Sequence, residues 1–147
     1  MKRVSQMVTA SQNLGPPREI AMIPTKLLLV DDEVEFVTTL SDRLRMRSIE
    51  AAVVYNGLQA LEYVENHEID VVVLDLNMPG LDGIEVLSRL RRAYSDIQVV
   101  ILTGHGAVHK EKQTRILNVY GCLTKPTDIE TLVDNIRSAY RYKRGGR

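Results

Sequence analysis

Lys26-Leu-Leu-Leu-Val-Asp-Asp32 is the stretch that decides the fold of this 147-residue chain. Its four consecutive apolar residues end abruptly in two carboxylates. A short, uninterrupted apolar run of this kind is typical of a strand that is buried on both faces of a parallel sheet. Open parallel sheets bind their ligands just beyond the carboxyl ends of the strands. The acidic pair therefore indicates a functional edge of the sheet.

Three further apolar runs end in a polar side chain. Asp75 follows Val71–Leu74, Thr103 follows Val99–Leu102, and Lys125 follows Cys122–Thr124 and precedes Pro126. Because parallel strands present their carboxyl ends at one edge, these residues and the acidic pair should lie close together. The expected site holds carboxylates, a hydroxyl and an ammonium.

Helical periodicity separates these runs. Val34, Val37, Leu40 and Leu44 recur at about 3.6-residue spacing, as on an amphipathic helix. We predict an α/β fold, a doubly wound five-stranded parallel sheet with five helices on its two faces. The predicted strands span about 26–31, 50–55, 70–75, 97–102 and 120–124. The first predicted helix spans about 33–47, and the second is a short segment marked by Leu58, Leu61 and Val64. The third follows the loop 77–83 and carries Ile84, Val86, Leu87 and Leu90. The fourth spans about 107–118, and the fifth runs from Asp128 to about 142.

The domain boundaries follow from the same pattern. Residues 1–25 show no strand or helix period, so we interpret them as a disordered or loosely packed extension, with a functional arm as the alternative. The compact domain is expected at 26–142, followed by a short basic tail at 143–147. We expect that tail to be a solvated end rather than a nucleic-acid contact.

Composition excludes several classes of protein. The net charge is zero, so no overall field favours nucleic acid or anionic lipid. No apolar run approaches the roughly 20 residues that span a bilayer. The single cysteine, Cys122, permits no intrachain disulfide and suits a reducing compartment, so we expect a cytoplasmic location.

The strand-end residues predict phosphoryl chemistry. Clustered carboxylates repel one another unless a cation such as Mg²⁺ binds them, and Mg²⁺ also binds phosphate oxygens. Asp75 is the expected nucleophile, since a carboxylate can form an aspartyl phosphate. Taken singly, each residue has a simpler interpretation: Asp32 as a helix N-cap, Thr103 as a turn residue and Lys125 as a solvated loop lysine.

Four motifs together resemble the receiver domain of bacterial two-component response regulators. They are Leu28-Leu-Val-Asp-Asp-Glu33, Val73-Leu-Asp-Leu-Asn-Met-Pro-Gly-Leu-Asp-Gly83, Ile101-Leu-Thr-Gly-His-Gly106 and Leu123-Thr-Lys-Pro126. Their order and spacing are family-like across roughly 26–142. The resemblance implies a flavodoxin-like fold with strand order 2-1-3-4-5.

The resemblance also assigns a role to each residue. It implies that Asp75 accepts the phosphoryl group and that Asp31 and Asp32 bind Mg²⁺ together with Asp75 and the backbone carbonyl of Asn77. Thr103 and Lys125 would contact the phosphoryl group, and the bond before Pro126 is expected to be cis. The implied partner is a sensor histidine kinase or a histidine phosphotransfer protein.

Two features depart from the family pattern. The position three residues before Lys125 is usually aromatic and reports switching, but here it is Cys122. Tyr120, on the same side of a regular strand, could replace it, or the coupling could be absent. In the predicted helix 107–118, Lys112 and Arg115 stand where apolar residues usually face the sheet. We expect that helix to pack loosely, to rotate, or to extend its charged groups along the edge of the sheet.

The leading hypothesis is therefore a stand-alone receiver, a monomer or weak homodimer that signals through a protein partner. It would not turn over a separate substrate, and neither nucleic acid nor membrane is an expected partner. Three alternatives stay open: an interaction module with altered switching, a phosphohydrolase, and a fragment of a larger regulator. Asn77 disfavours the hydrolase, which usually has an acid there. His67, His105 and His109 lack metal-ligand spacing.

Overall fold

The computed structural model describes residues 26–104 and 117–143. In these ranges five strands alternate with four helices. The elements are β1 (Leu27–Val30), α1 (Val34–Arg45), β2 (Ala51–Val54), α2 (Gly57–Asn66), β3 (Val71–Leu74), α3 (Gly83–Ala93), β4 (Gln98–Thr103), β5 (Gly121–Thr124) and α4 (Ile129–Lys143). The predicted extension 1–25, residues 107–116 of the predicted fourth helix, and His105 and His109 lie outside the described residues.

The sheet has the strand order β2-β1-β3-β4-β5, and all neighbouring strands are parallel. The predicted fold class and strand order are therefore confirmed. The register aligns the strand ends: Val30 of β1 is paired with Leu74 of β3, and Leu74 is paired with Ile101 of β4. This alignment brings the residues that follow these strands to one edge.

Apolar side chains on the two faces of the sheet form two separate cores. Leu28 and Val30 of β1 face the core covered by α2 and α3, whereas Leu27 and Leu29 face the core covered by α1 and α4. The alternation follows from the two-residue period of a strand. Burial of each such side chain contributes about 1.5–3 kcal/mol, so both cores hold the site's strands in place.

The structure corrects three details of the predicted pattern. Val34 and Leu58, which we expected among the apolar helix positions, are exposed. Both lie in the first turn of a helix, on the side that faces solvent. Lys143, predicted as the start of the basic tail, is the last residue of α4 and pairs with Asp70.

Across the described residues, no helix combines the length and the apolar character that a bilayer crossing requires.

Candidate functional site

The carboxyl edge of the sheet brings together the strand-end residues. Asp31 and Asp75 directly follow β1 and β3, Thr103 ends β4, and Lys125 directly follows β5. Backbone hydrogen bonds extend the sheet to these positions. The Asp75 N–H donates to the Val30 carbonyl at 3.0 Å, and the Lys125 N–H donates to the Thr103 carbonyl at 2.7 Å. The backbone of each residue is thus fixed by the neighbouring strand.

Three carboxylates form an acidic cluster at this edge. Asp31, Asp32 and Asp75 each place one oxygen within 4.8 Å of the others, and Asp31 and Asp75 are only 4% and 3% exposed. Burial raises the pKa of Asp31, and the charge of Asp75 adds to this effect, while Lys125 and the Glu33 N–H oppose it. An oxygen-rich cluster of like charges suits a hard divalent cation such as Mg²⁺.

The two oxygens of Asp75 have different surroundings. Oδ1 accepts a hydrogen bond from the Thr103 hydroxyl at 2.8 Å and another from the Asn77 N–H at 3.0 Å. Oδ2 lies 3.5 Å from Lys125 Nζ. The carboxylate is therefore held in a fixed orientation through Oδ1.

Lys125 is surrounded by carboxylates. Its Nζ lies 2.8 Å from Asp31 Oδ2 and 2.6 Å from Glu33 Oε1, and it is 4.4 Å from the centre of the Phe36 ring. Burial lowers the pKa of Lys125, but the hydrogen bonds that its ammonium donates to Asp31 and Glu33 and the charge of Asp75 outweigh this effect, so the pKa is raised well above its usual range. Lys125 is thus a fixed positive charge at neutral pH.

The simpler interpretations of single residues do not fit the structure. Glu33, not Asp32, is the N-cap residue of α1. Thr103 is a buried strand residue rather than a turn residue. The Lys125 side chain is only 14% exposed, so it is not a solvated loop lysine. All three residues belong to one cluster.

The loop after Asp75 is fixed at its far end by α3. The Asp82 side chain caps that helix by accepting a hydrogen bond from the Ile84 N–H at 2.9 Å. Gly83 packs directly on the loop, because a Cβ there would lie 2.5 Å from Leu76 Cα and 2.7 Å from the Asp75 carbonyl oxygen. Only glycine permits this approach between helix and strand end.

Tyr120 and Cys122 lie at the edge strand, away from the acidic cluster. Exposure alternates from Tyr120 through Thr124, and both Tyr120 and Cys122 are on the exposed side. The Tyr120 ring meets Tyr142 of α4 edge-on, with the ring centres 5.8 Å apart. The Lys125–Pro126 peptide bond is cis.

Two residues near the site were not predicted from the sequence. Glu33 pairs with Lys125, and Phe36 lies under the Lys125 ammonium. The available signal was their position in the sequence, since Glu33 directly follows the acidic pair as the N-cap residue of α1 and Phe36 lies in the first turn of that helix. His67 lies far from the cluster and stacks on Tyr63.

This fold and this arrangement of strand ends define a class of signalling protein. Residues 27–137 match the family model of the response regulator receiver domain, so the chain belongs to that family and is a receiver domain of a two-component response regulator.

Curated relatives differ in length. The chain is 32% identical over 116 residues to sporulation initiation phosphotransferase F of Bacillus subtilis, covering 79% of this chain and 94% of that protein. It is 35% identical over 117 residues to a CpxR homolog, a transcriptional regulatory protein of Haemophilus influenzae, covering 80% of this chain and 51% of that protein. The chain thus spans nearly all of one relative and about half of the other.

Solved structures show the same architecture. A response regulator receiver domain protein from Clostridium thermocellum superposes with a TM-score of 0.77 at 28% identity, covering 82% of this chain and 97% of that one. A receiver domain protein from Methanospirillum hungatei superposes with a TM-score of 0.79 at 16% identity, covering 84% of this chain and 99% of that one. The second likeness shows the fold alone.

Proposed function

We propose that this receiver accepts a phosphoryl group on Asp75 from a sensor histidine kinase or a histidine phosphotransfer protein, and signals to a partner protein by changing conformation. The observation that carries the proposal is the setting of Asp75. Its carboxylate is buried at the carboxyl edge, held through Oδ1 by two hydrogen-bond donors, and faces a lysine ammonium through Oδ2.

In the proposed step an Asp75 oxygen attacks the phosphorus of a phosphohistidine. An O–P bond forms, the N–P bond breaks, and the imidazole leaves with the electron pair of that bond. Oδ2 is the better nucleophile, because Oδ1 already accepts two hydrogen bonds. Lys125 lies next to Oδ2, where its charge would stabilise the phosphoryl oxygens.

Asp31, Asp32 and Asp75 are the residues that would hold Mg²⁺, with the Asn77 carbonyl as a further proposed ligand. The clustered oxygens fit the oxygen preference of this ion. When bound, Mg²⁺ would offset the repulsion between the carboxylates and the incoming phosphoryl oxygens. The donor set supports Mg²⁺ as the cofactor of this receiver.

After transfer, Thr103 and Lys125 are the proposed sensors of the phosphoryl group. Thr103 would exchange its hydrogen bond to Asp75 for one to a phosphoryl oxygen. Added charge and acceptor oxygens of this kind can bias a two-state element. In this proposal the chain modifies its own aspartate and does not turn over a separate substrate.

The test is Mg²⁺-dependent labelling with acetyl phosphate. We expect the wild-type protein to take up one hydroxylamine-sensitive phosphoryl group and Asp75→Asn to take up none. Asp96→Asn is the matched control, because Asp96 is an exposed carboxylate at the opposite end of β4. Equal labelling of wild type and Asp75→Asn would overturn the proposal.

Cys122 supports a second candidate function, an interaction module with altered switching. An exposed cysteine stands where the family usually has an aromatic residue, and Tyr120 instead contacts Tyr142. Amide NMR spectra with and without a beryllofluoride phosphate mimic separate the two functions. Shifts that reach Tyr120 and Cys122 favour a working switch, whereas shifts confined to the strand ends favour the module.

A further inference from the structure

Glu33 lies in the β1–α1 turn but is not one of the residues assigned to the proposed phosphoryl transfer. Its side chain is 61% exposed, yet its Oε1 lies 2.6 Å from Lys125 Nζ. That distance is shorter than the 3.5 Å between Lys125 Nζ and Asp75 Oδ2. The lysine that faces the proposed phosphoryl position is therefore bound more closely to Glu33 than to the proposed acceptor.

The side chain of Glu33 is not needed to start the helix it precedes. Glu33 is the N-cap residue of α1, but within the described ranges its carboxylate caps no backbone N–H. Its backbone N–H donates to Asp31 Oδ1 at 2.9 Å, and this bond does not depend on the side chain. The carboxylate can thus be changed while the turn that carries Asp31 and Asp32 is retained.

We infer that Glu33 is a positioning residue that acts through Lys125 and limits the rate of phosphoryl acceptance. This inference rests on the proposed function. A phosphoryl group on Asp75 brings oxygens that compete with Glu33 for the same ammonium. The ion pair between Glu33 and Lys125 must then open before Lys125 can stabilise those oxygens.

The exposure of the Glu33 side chain determines how strongly Glu33 slows phosphoryl acceptance. Exposed ion pairs are weak, because water competes for both charges. Lys125 also retains its contact with the buried Asp31 when Glu33 is removed. Glu33 therefore slows the engagement of Lys125 moderately and does not block it.

The experiment compares Glu33→Gln with Glu35→Gln. Glu35 lies in the first turn of the same helix and is also exposed, but among the described residues it forms no ion pair with Lys125. Both changes remove one negative charge close to the site, so long-range electrostatics are matched. We expect the initial labelling rate with acetyl phosphate to rise about two- to fivefold in Glu33→Gln and to stay at the wild-type value in Glu35→Gln.

A second readout reports on the lysine without phosphorylation. In NMR spectra of the Mg²⁺-free protein, the side-chain signals of Lys125 should move in Glu33→Gln and stay in place in Glu35→Gln. If Glu33→Gln lowers the melting temperature, the labelling rate and the Lys125 signals are measured again on Glu33→Ala. Rescue of the wild-type rate by Glu33→Asp, which restores the charge, would further support a role through the ion pair.

The outcomes separate this inference from the proposed function. If Asp75→Asn is labelled like the wild type, the proposed function fails. If Asp75→Asn is not labelled but Glu33→Gln is labelled no faster than Glu35→Gln, only the role of Glu33 fails. A Lys125 signal that moves without any change in rate also overturns that role.

Discussion

At the residue scale, the charge of Asp75 is subject to two opposing interactions, repulsion by a neighbouring carboxylate and attraction by hydrogen-bond donors and Lys125. Its burial next to Asp31 makes its charge costly, since like charges in a partly buried site repel. The Thr103 hydroxyl, the Asn77 N–H and Lys125 offset part of that cost. The remaining repulsion makes the acidic cluster receptive to a cation.

Asp75→Asn should stabilise the Mg²⁺-free protein by about 1 kcal/mol, because it removes one of three clustered negative charges. An asparagine Oδ1 can still accept the hydrogen bonds from Thr103 and Asn77. Chemical denaturation without Mg²⁺ checks this, with Asp96→Asn as the control that should change little. A lower stability of Asp75→Asn would show that the charges are already balanced in the wild type.

Gly83→Ala should destabilise the protein by about 1–3 kcal/mol, the usual cost of overpacking. The added methyl group would collide with backbone atoms of Asp75 and Leu76, which cannot move without shifting the end of β3. Thermal unfolding measures the loss. Gly104→Ala is the control, because a Cβ there meets no atom of the described residues within 4 Å. Similar melting temperatures for both variants would contradict the close approach.

At the scale of elements, α4 forms ion pairs with other segments of the chain near both of its ends. Near its start, Glu130 pairs with Arg47, which follows α1, at 2.7 Å. At its end, Lys143 Nζ lies 2.9 Å from Asp70 Oδ1 and donates to the Ile69 carbonyl at 3.1 Å. These contacts fix the helix that follows the loop of Lys125.

Lys143→Met should cost about 1–3 kcal/mol of unfolding free energy, because it leaves the buried Asp70 carboxylate without its ammonium partner. Methionine keeps most of the apolar stem, so lost packing is small. Arg141→Met on the same helix is the matched control, since Arg141 is exposed and hydrogen-bonds only to Ser138 among the described residues. Equal denaturation midpoints for the two variants would contradict a stabilising role of the Lys143 pair.

At the scale of the whole molecule, the sheet and its polar edge were predictable because they depend on local pattern. Each apolar run forms a strand, and the polar residue after it must lie at the carboxyl edge. The pairing of Glu33 with Lys125 was not predictable, because it joins side chains 92 positions apart whose rotamers depend on the packed fold. The extension of α4 to Lys143 was not predictable for the same reason, since its partner Asp70 lies 73 positions earlier, in the loop before β3.

Residues 1–25 show no strand or helix period in the sequence. We therefore expect a chain that lacks them to unfold with a free energy within about 0.5 kcal/mol of the full chain, and to be labelled equally on Asp75. Chemical denaturation and acetyl phosphate labelling of both chains provide the test. A loss several times larger would make residues 1–25 part of the folded domain rather than an extension.

Phe36 is the only phenylalanine of the chain, and its ring lies beneath the Lys125 ammonium. Aromatic rings shield the protons above their faces, so the terminal methylene protons of Lys125 should resonate upfield of those of the other lysines. Any movement of Lys125 away from the ring would return these resonances toward ordinary values. The chain thus carries an intrinsic magnetic reporter beside its proposed acceptor, and the state of that lysine could be followed in solution without an attached label.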